Sequence, residues 1–153
     1  MDGRFVYWSI HYILDQSVQN VKVVRPMVVV GLVIVAIAAL IHGYIFWLES
    51  ISWTSARTRA VFGTSEQEAQ TTRAMAFNQG FYNLFLAIEV AIGIVVFAVG
   101  MTVVGAVLVI AGGASMVLAG VVLLASSPDK AKAALIQLAP PLIGLIAFGI
   151  GLA

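Results

Sequence analysis

The chain has 153 residues, 61% of them hydrophobic and 10% charged, with a formal net charge of +1 and no cysteine. A soluble domain carries roughly 25% charged residues, so this composition excludes a water-facing globular surface and specifies an integral membrane protein, one domain by length. The small net charge offers nothing to a nucleic acid, and the absence of thiols excludes disulfides, thiolate nucleophiles and Cys-ligated metals.

Residues 1–25 form a segment of their own. Phe5, Val6, Tyr7, Trp8, Ile10, Tyr12, Ile13 and Leu14 make it apolar and aromatic, while Asp2, Arg4, His11, Asp15, Lys22 and Arg25 make it too polar to span. It reads as an interfacial or flexible N-terminal segment, ahead of a transmembrane domain over 26–153.

Pro26 suits the first turn of a helix, where its missing N–H would be unpaired anyway. From there four apolar runs, near 27–48, 74–99, 101–125 and 133–153, each match the ~20 residues that cross a bilayer. Tyr44, Trp47 and Trp53 fit an aromatic belt at the end of the first span. Between the first two runs, Phe62-Gly63-Thr64-Ser65-Glu66 reads as a helix stop followed by a fresh N-cap, with Glu68 completing a capping box on Ser65. The second membrane helix is therefore expected to begin near Ser65, outside the bilayer. Gly100 alone separates the second and third runs, which predicts a tight antiparallel hairpin, and Ser126-Ser127-Pro128-Asp129-Lys130 is the next turn. Pro140 and Pro141 fall inside the fourth span and are expected to kink it. The pattern predicts an all-α fold, an up-down bundle of four membrane helices. The loop and turn on one side carry Arg57, Arg59, Arg73, Lys130 and Lys132, against Arg4, Lys22 and Arg25 on the other, so the positive-inside rule places the 50–72 loop and the 126–132 turn in the cytoplasm.

Two polar clusters interrupt this hydrocarbon. The first holds His42 and Glu49, seven residues and nearly two helical turns apart, hence on one helix face. The second holds Asn78, Gln79, Tyr82 and Asn83, with Gly80 between them leaving room for close helix approach. Because the loop returns the chain, both clusters lie at the same depth and are expected to converge. A carboxylate and an imidazole beside amides suit acid–base chemistry on a bound polar head group: Glu49 and His42 as the proton-moving groups, with Asn78, Gln79, Tyr82, Asn83 and Trp53 as the ligand-binding ones. The same side chains can instead satisfy one another and pin two helices together. No metal or cofactor is expected, since His42 and Glu49 lack the i, i+3 or i, i+4 spacing of helical ligand pairs. Glu89, near the middle of the second span, is expected to find Ser115 as its partner. Gly105, Gly112, Gly113, Gly120 and the Ala147/Gly151 pair let the later helices approach closely. Such faces also suit a homodimer or docking on a larger membrane complex.

These residues resemble a family of small bacterial membrane proteins known only as a domain of unknown function. The likeness rests on His42, Leu48-Glu49, Trp53, Val61-Phe62-Gly63 and above all Asn78-Gln79-Gly80-Phe81-Tyr82-Asn83-Leu84-Phe85-Leu86, and extends over about 28–153. The chain departs from the family pattern at Ser50-Ile51 and at Glu89. The resemblance implies a four-helix protein of the bacterial plasma membrane, with no established activity, although some members carry an epimerase label. Two readings of function follow: a membrane-embedded site that binds or isomerises a lipid-like molecule, with membrane lipids as partners, or a non-catalytic accessory subunit. The topology has a direct test. Single cysteines in the 50–72 loop and at Lys130 are expected to label from one side of the membrane and one at Gly100 from the other; labelling of all three from the same side would refute it.

Overall fold

The structure is a computed structural model and describes residues 26–153; the expected interfacial segment over 1–25 lies outside the described residues. Four helices are long and apolar enough to cross a membrane: α1 (Pro26–Ile51), α4 (Arg73–Ala98), α5 (Thr102–Ser126) and α6 (Ala131–Leu152), the last preceded by a 3-10 turn at Pro128–Lys130. Two short helices, α2 (Ala56–Phe62) and α3 (Glu66–Thr71), fill the loop between α1 and α4. The described chain is all-α and contains no strand. Many large apolar side chains are exposed, among them Leu40, Val103, Val121, Leu118 and Ile146. In water such a surface would aggregate; on a multi-pass membrane protein it is the face that meets lipid.

The four long helices close a ring in which α1 packs on α4, α4 on α5, α5 on α6 and α6 back on α1. Lipid tails are as apolar as the side chains they would replace, so close backbone approach has to hold such a bundle. Glycine supplies it at each contact. A Cβ on Gly31 would strike the backbone of Phe148, one on Gly144 would strike Val35, and one on Gly151 would strike Val28, all across the α1–α6 seam. Gly93 and Gly105 do the same between α4 and α5, against Val109 and Phe97, and Gly113 and Gly120 lie against Leu145 and Leu138 of α6. The core that results is small-grained: Val35, Ala38, Ala39, Ala87, Val90, Val109, Met116 and Phe148, with Phe97 set edge-on to Phe148 at a centroid distance of 5.3 Å.

The turns follow the expected chemistry, with one interruption. Gly100 takes φ 98° in the α4–α5 turn, and Gly63 takes φ 65° as it stops α2. Ser65 caps α3 and Glu68 closes the capping box. Two backbone and side-chain bonds from Ser65 hold the exposed Glu68 carboxyl below its ordinary range. The helix that starts there does not run on into the bilayer as expected. It breaks at Thr72, whose Oγ1 donates 2.7 Å back to the Glu68 carbonyl, and α4 starts afresh at Arg73. Hydroxyls that bond the carbonyl four residues back compete with the ladder and bend helices. Around this break the loop is a folded cap. Ser52 and Ser55 hydrogen-bond the buried Thr58, Trp53 stacks at a tilt on Phe62, and Arg59 pairs with Glu66.

The glycine contacts give a graded prediction. Gly31→Val and Gly144→Val drive a branched side chain into a facing backbone, and overpacking of this kind costs about 1–3 kcal/mol. Gly149→Ala, where nothing lies within 4 Å, is expected to leave thermal unfolding in detergent unchanged or slightly raised.

Candidate functional site at the α1–α4 contact

Glu49 lies in the last turn of α1, which is wound as a π-helix over Trp47–Ile51. The Ser52 N–H bonds the Trp47 carbonyl five residues back. A wider turn shifts the following residues round the axis, and such turns occur frequently at functional sites. Here the turn brings Glu49 and Ser50 against α4. Ser50 Oγ donates 2.8 Å to the Phe77 carbonyl. Gly80 faces both residues, and a Cβ there would collide with the Ser50 hydroxyl and crowd Glu49.

Asn83, one turn further along α4, completes the contact. Its Nδ2 donates 3.0 Å to Glu49 Oε2 and 3.1 Å to the carbonyl of Gln79. Both amide hydrogens are thus committed, and no ion pair to Glu49 is found among the described residues, where Arg59–Glu66 is the one salt bridge. The half-buried pair therefore presents acceptors: Glu49 Oε1 and Asn83 Oδ1. On the flank of α4 turned away from Asn83 runs a ladder of phenyl rings, Phe46 edge-on to Phe81 at 5.1 Å, with Phe77 and Phe85 flanking Phe81 at 4.9 and 6.1 Å. Tyr44 and Trp47 stack at 6.0 Å on the outer face of α1.

The other residues singled out by the sequence are placed differently. His42 is fully buried, and it sits on the Gly31–Val35–Ala38 stripe that faces α6, with Nδ1 donating 2.9 Å to the Ala38 carbonyl. Glu49 is seven residues beyond it, about 10 Å along a helix at 1.5 Å per residue, so the two share no hydrogen bond. Asn78 and Gln79 are exposed, as is Tyr82 at 66%. Trp53 belongs to the loop cap, donating from Nε1 to Thr72 Oγ1 at 3.2 Å. Of the five side chains expected to converge, the structure joins Glu49 and Asn83. Ser115 is not the partner of Glu89: its hydroxyl bonds the Ala111 carbonyl on its own helix, while the Glu89 carboxyl lies beside Gly112. Among the described residues no group of three His, Cys, Asp or Glu could hold a metal. Ser50, a departure from the resembled pattern, is the contact residue that sequence reasoning passed over; it docks opposite Gly80, a contact that no local pattern in α1 marks.

The contact can be broken from the α4 side. Gly80→Val is expected to separate α1 from α4, uncoupling Asn83 from Glu49 and lowering stability by about 1–3 kcal/mol. Asn83→Ala removes the hydrogen bond with no collision and is expected to cost less, since such bonds average ~0.6 kcal/mol in membranes. Equal losses in the two variants would show that Gly80 does not act by close approach.

No curated protein matches this chain, and no solved structure does. A family model does match, over residues 36–148, about three quarters of the chain, a span that takes in both polar clusters and the glycine contacts of α4 with α1 and α5 and of α5 with α6. The chain belongs to the family described as a protein of unknown function, DUF1304.

Proposed function

We propose that this protein binds the polar head of a lipid-like molecule at Glu49 and Asn83, in a bacterial plasma membrane, with Glu49 as the group that accepts a hydrogen bond or a proton from it. The observation that carries this reading is the Glu49–Asn83 pair itself, half-buried between α1 and α4 and left with free acceptors and no cation. Ionisable groups at membrane depth are functional by default, because they persist only where something pairs with them. Two acceptors side by side suit a head group that donates, such as a hydroxyl or an amine. His42 belongs to a deeper level and takes no direct part in the head-group contact. Gln79, exposed on α4 one turn before Asn83, is available to a larger head group, while Asn78 and Tyr82 are exposed on the side of α4 turned away from α1. The charge bias of the loops puts this mouth on the cytoplasmic side.

The interlock of Ser50, Gly80 and Phe77 supports a second reading, in which the same polar groups pin α1 to α4 and the protein is an accessory subunit without chemistry. Glu49→Gln separates the two. It keeps the shape and an acceptor for Asn83 but removes the proton-exchanging carboxyl. Hydrogen bonds to charged groups are worth about 1.5–3 kcal/mol. A site for a donor head group is therefore expected to lose co-purifying amphiphile by about tenfold or more, read by mass spectrometry of lipid extracts, with thermal stability near that of the parent. A fall in stability with an unchanged lipid extract would establish the accessory reading instead.

A further inference from the structure

Two polar features of the α1–α6 seam lie away from Glu49. The first is His42. With Nδ1–H donated to Ala38, its Nε2 is a lone-pair acceptor, and it is buried with no hydrogen-bond partner among the described residues. The second is the backbone of α6. A helical N–H bonds the carbonyl four residues back, so Pro140 and Pro141 leave the carbonyls of Ile136 and Gln137 without their ladder donors.

The packing register brings the two together. Val28 meets Gly151, Gly31 meets Phe148 and Val35 meets Gly144, so each step along α1 is matched by an equal step back along α6. Continued by one turn, the register sets Ala38 opposite the buried Pro141; continued by two, it sets His42 opposite Gln137. Gln137 also falls on the α6 stripe defined by Gly151, Phe148, Gly144 and Pro141, at the 3- and 4-residue spacing of one helix face. Small neighbours on the same seam, Ala38 and Ala134, surround this level. Two acceptors brought to one level cannot bond each other, and a buried polar group left unpaired carries a penalty. A group with two donor hydrogens satisfies both, and buried waters serve this purpose in protein interiors.

We propose that the α1–α6 seam is a binding site for one water molecule, which donates to His42 Nε2 and to the Gln137 carbonyl. It ties α1 to α6 at the level where the prolines open the ladder, and it is independent of the Glu49 site. The test is nitrogen NMR on the full chain in lipid bilayers, labelled with ¹⁵N-histidine, with His11→Gln used to assign the two imidazoles. His42 is expected to be protonated at Nδ1 alone. Its Nε2 resonance should shift upfield from that of a bare lone pair and correlate with exchanging water protons. Gln137→Leu, which spares the carbonyl, is expected to leave that resonance in place. Pro141→Ala, which restores a donor to the Gln137 carbonyl, is expected to move it back towards the bare position. A bare Nε2 in the parent protein overturns the proposal. So does a doubly protonated ring that reaches Gln137 directly, a resonance lost in Gln137→Leu, or one unmoved in Pro141→Ala.

Discussion

Inside a bilayer there is no solvent to repair an unmade hydrogen bond and no hydrophobic gain in exchanging a lipid tail for a leucine. That double constraint governs this protein. Helices can hold one another only by approaching closely, and each polar side chain they carry must find its partner within the bundle or at its edge. The first demand explains glycine at every seam of the ring: Gly31, Gly144 and Gly151 between α1 and α6, Gly93 and Gly105 between α4 and α5, Gly113 and Gly120 between α5 and α6, and Gly80 between α1 and α4. The second explains why the few polar groups are confined to particular levels. Ser115 turns back on its own helix, Asn83 bridges two helices, and Ser50 bonds a carbonyl of the facing helix.

What could be read from the sequence is what local rules control. Spanning length and composition mark all four membrane helices, because hydrocarbon thickness is a strict ruler. Ser65 and Glu68 announce a capping box, and Gly63 and Gly100 announce turns, because each needs only residues a few positions away. The family resemblance was legible for the same reason, in the run from Asn78 to Leu86, and it extends over the 36–148 match.

The site was legible in outline and not in its pairings. Seven-residue spacing puts His42 and Glu49 on one face only if the helix keeps 3.6 residues per turn, and α1 does not: its last turn widens to a π-helix as Ser50 and Glu49 dock on α4. That docking depends on Gly80, far away in sequence, so no local signal in α1 announces it. In the same way the break at Thr72, where the side-chain hydroxyl bonds the Glu68 carbonyl, falls in a segment whose capping box at Ser65 announces a helix that runs on. The expected Glu89–Ser115 pair failed because a serine in a helix always has a carbonyl of its own within reach.

The level of the Glu49–Asn83 pair links these constraints to the proposed function. It lies at the loop end of α1, among Tyr44, Trp47 and Trp53, the aromatic side chains that settle where hydrocarbon gives way to head groups. A carboxyl one or two turns deeper would need a partner from within the bundle, as His42 does on the α6 side. A carboxyl fully outside would be screened by water and lose its grip on a ligand. At the boundary it can be half-buried, held in place by a single amide, and still reached by a molecule whose head lies at the same depth and whose tail never leaves the bilayer. The rings from Phe77 to Phe85 extend over about 12 Å of helix from that boundary into the hydrocarbon, alongside the seam that Gly80 holds closed. The close approach that fixes α1 to α4 is thus also what sets the carboxyl at a lipid's own level.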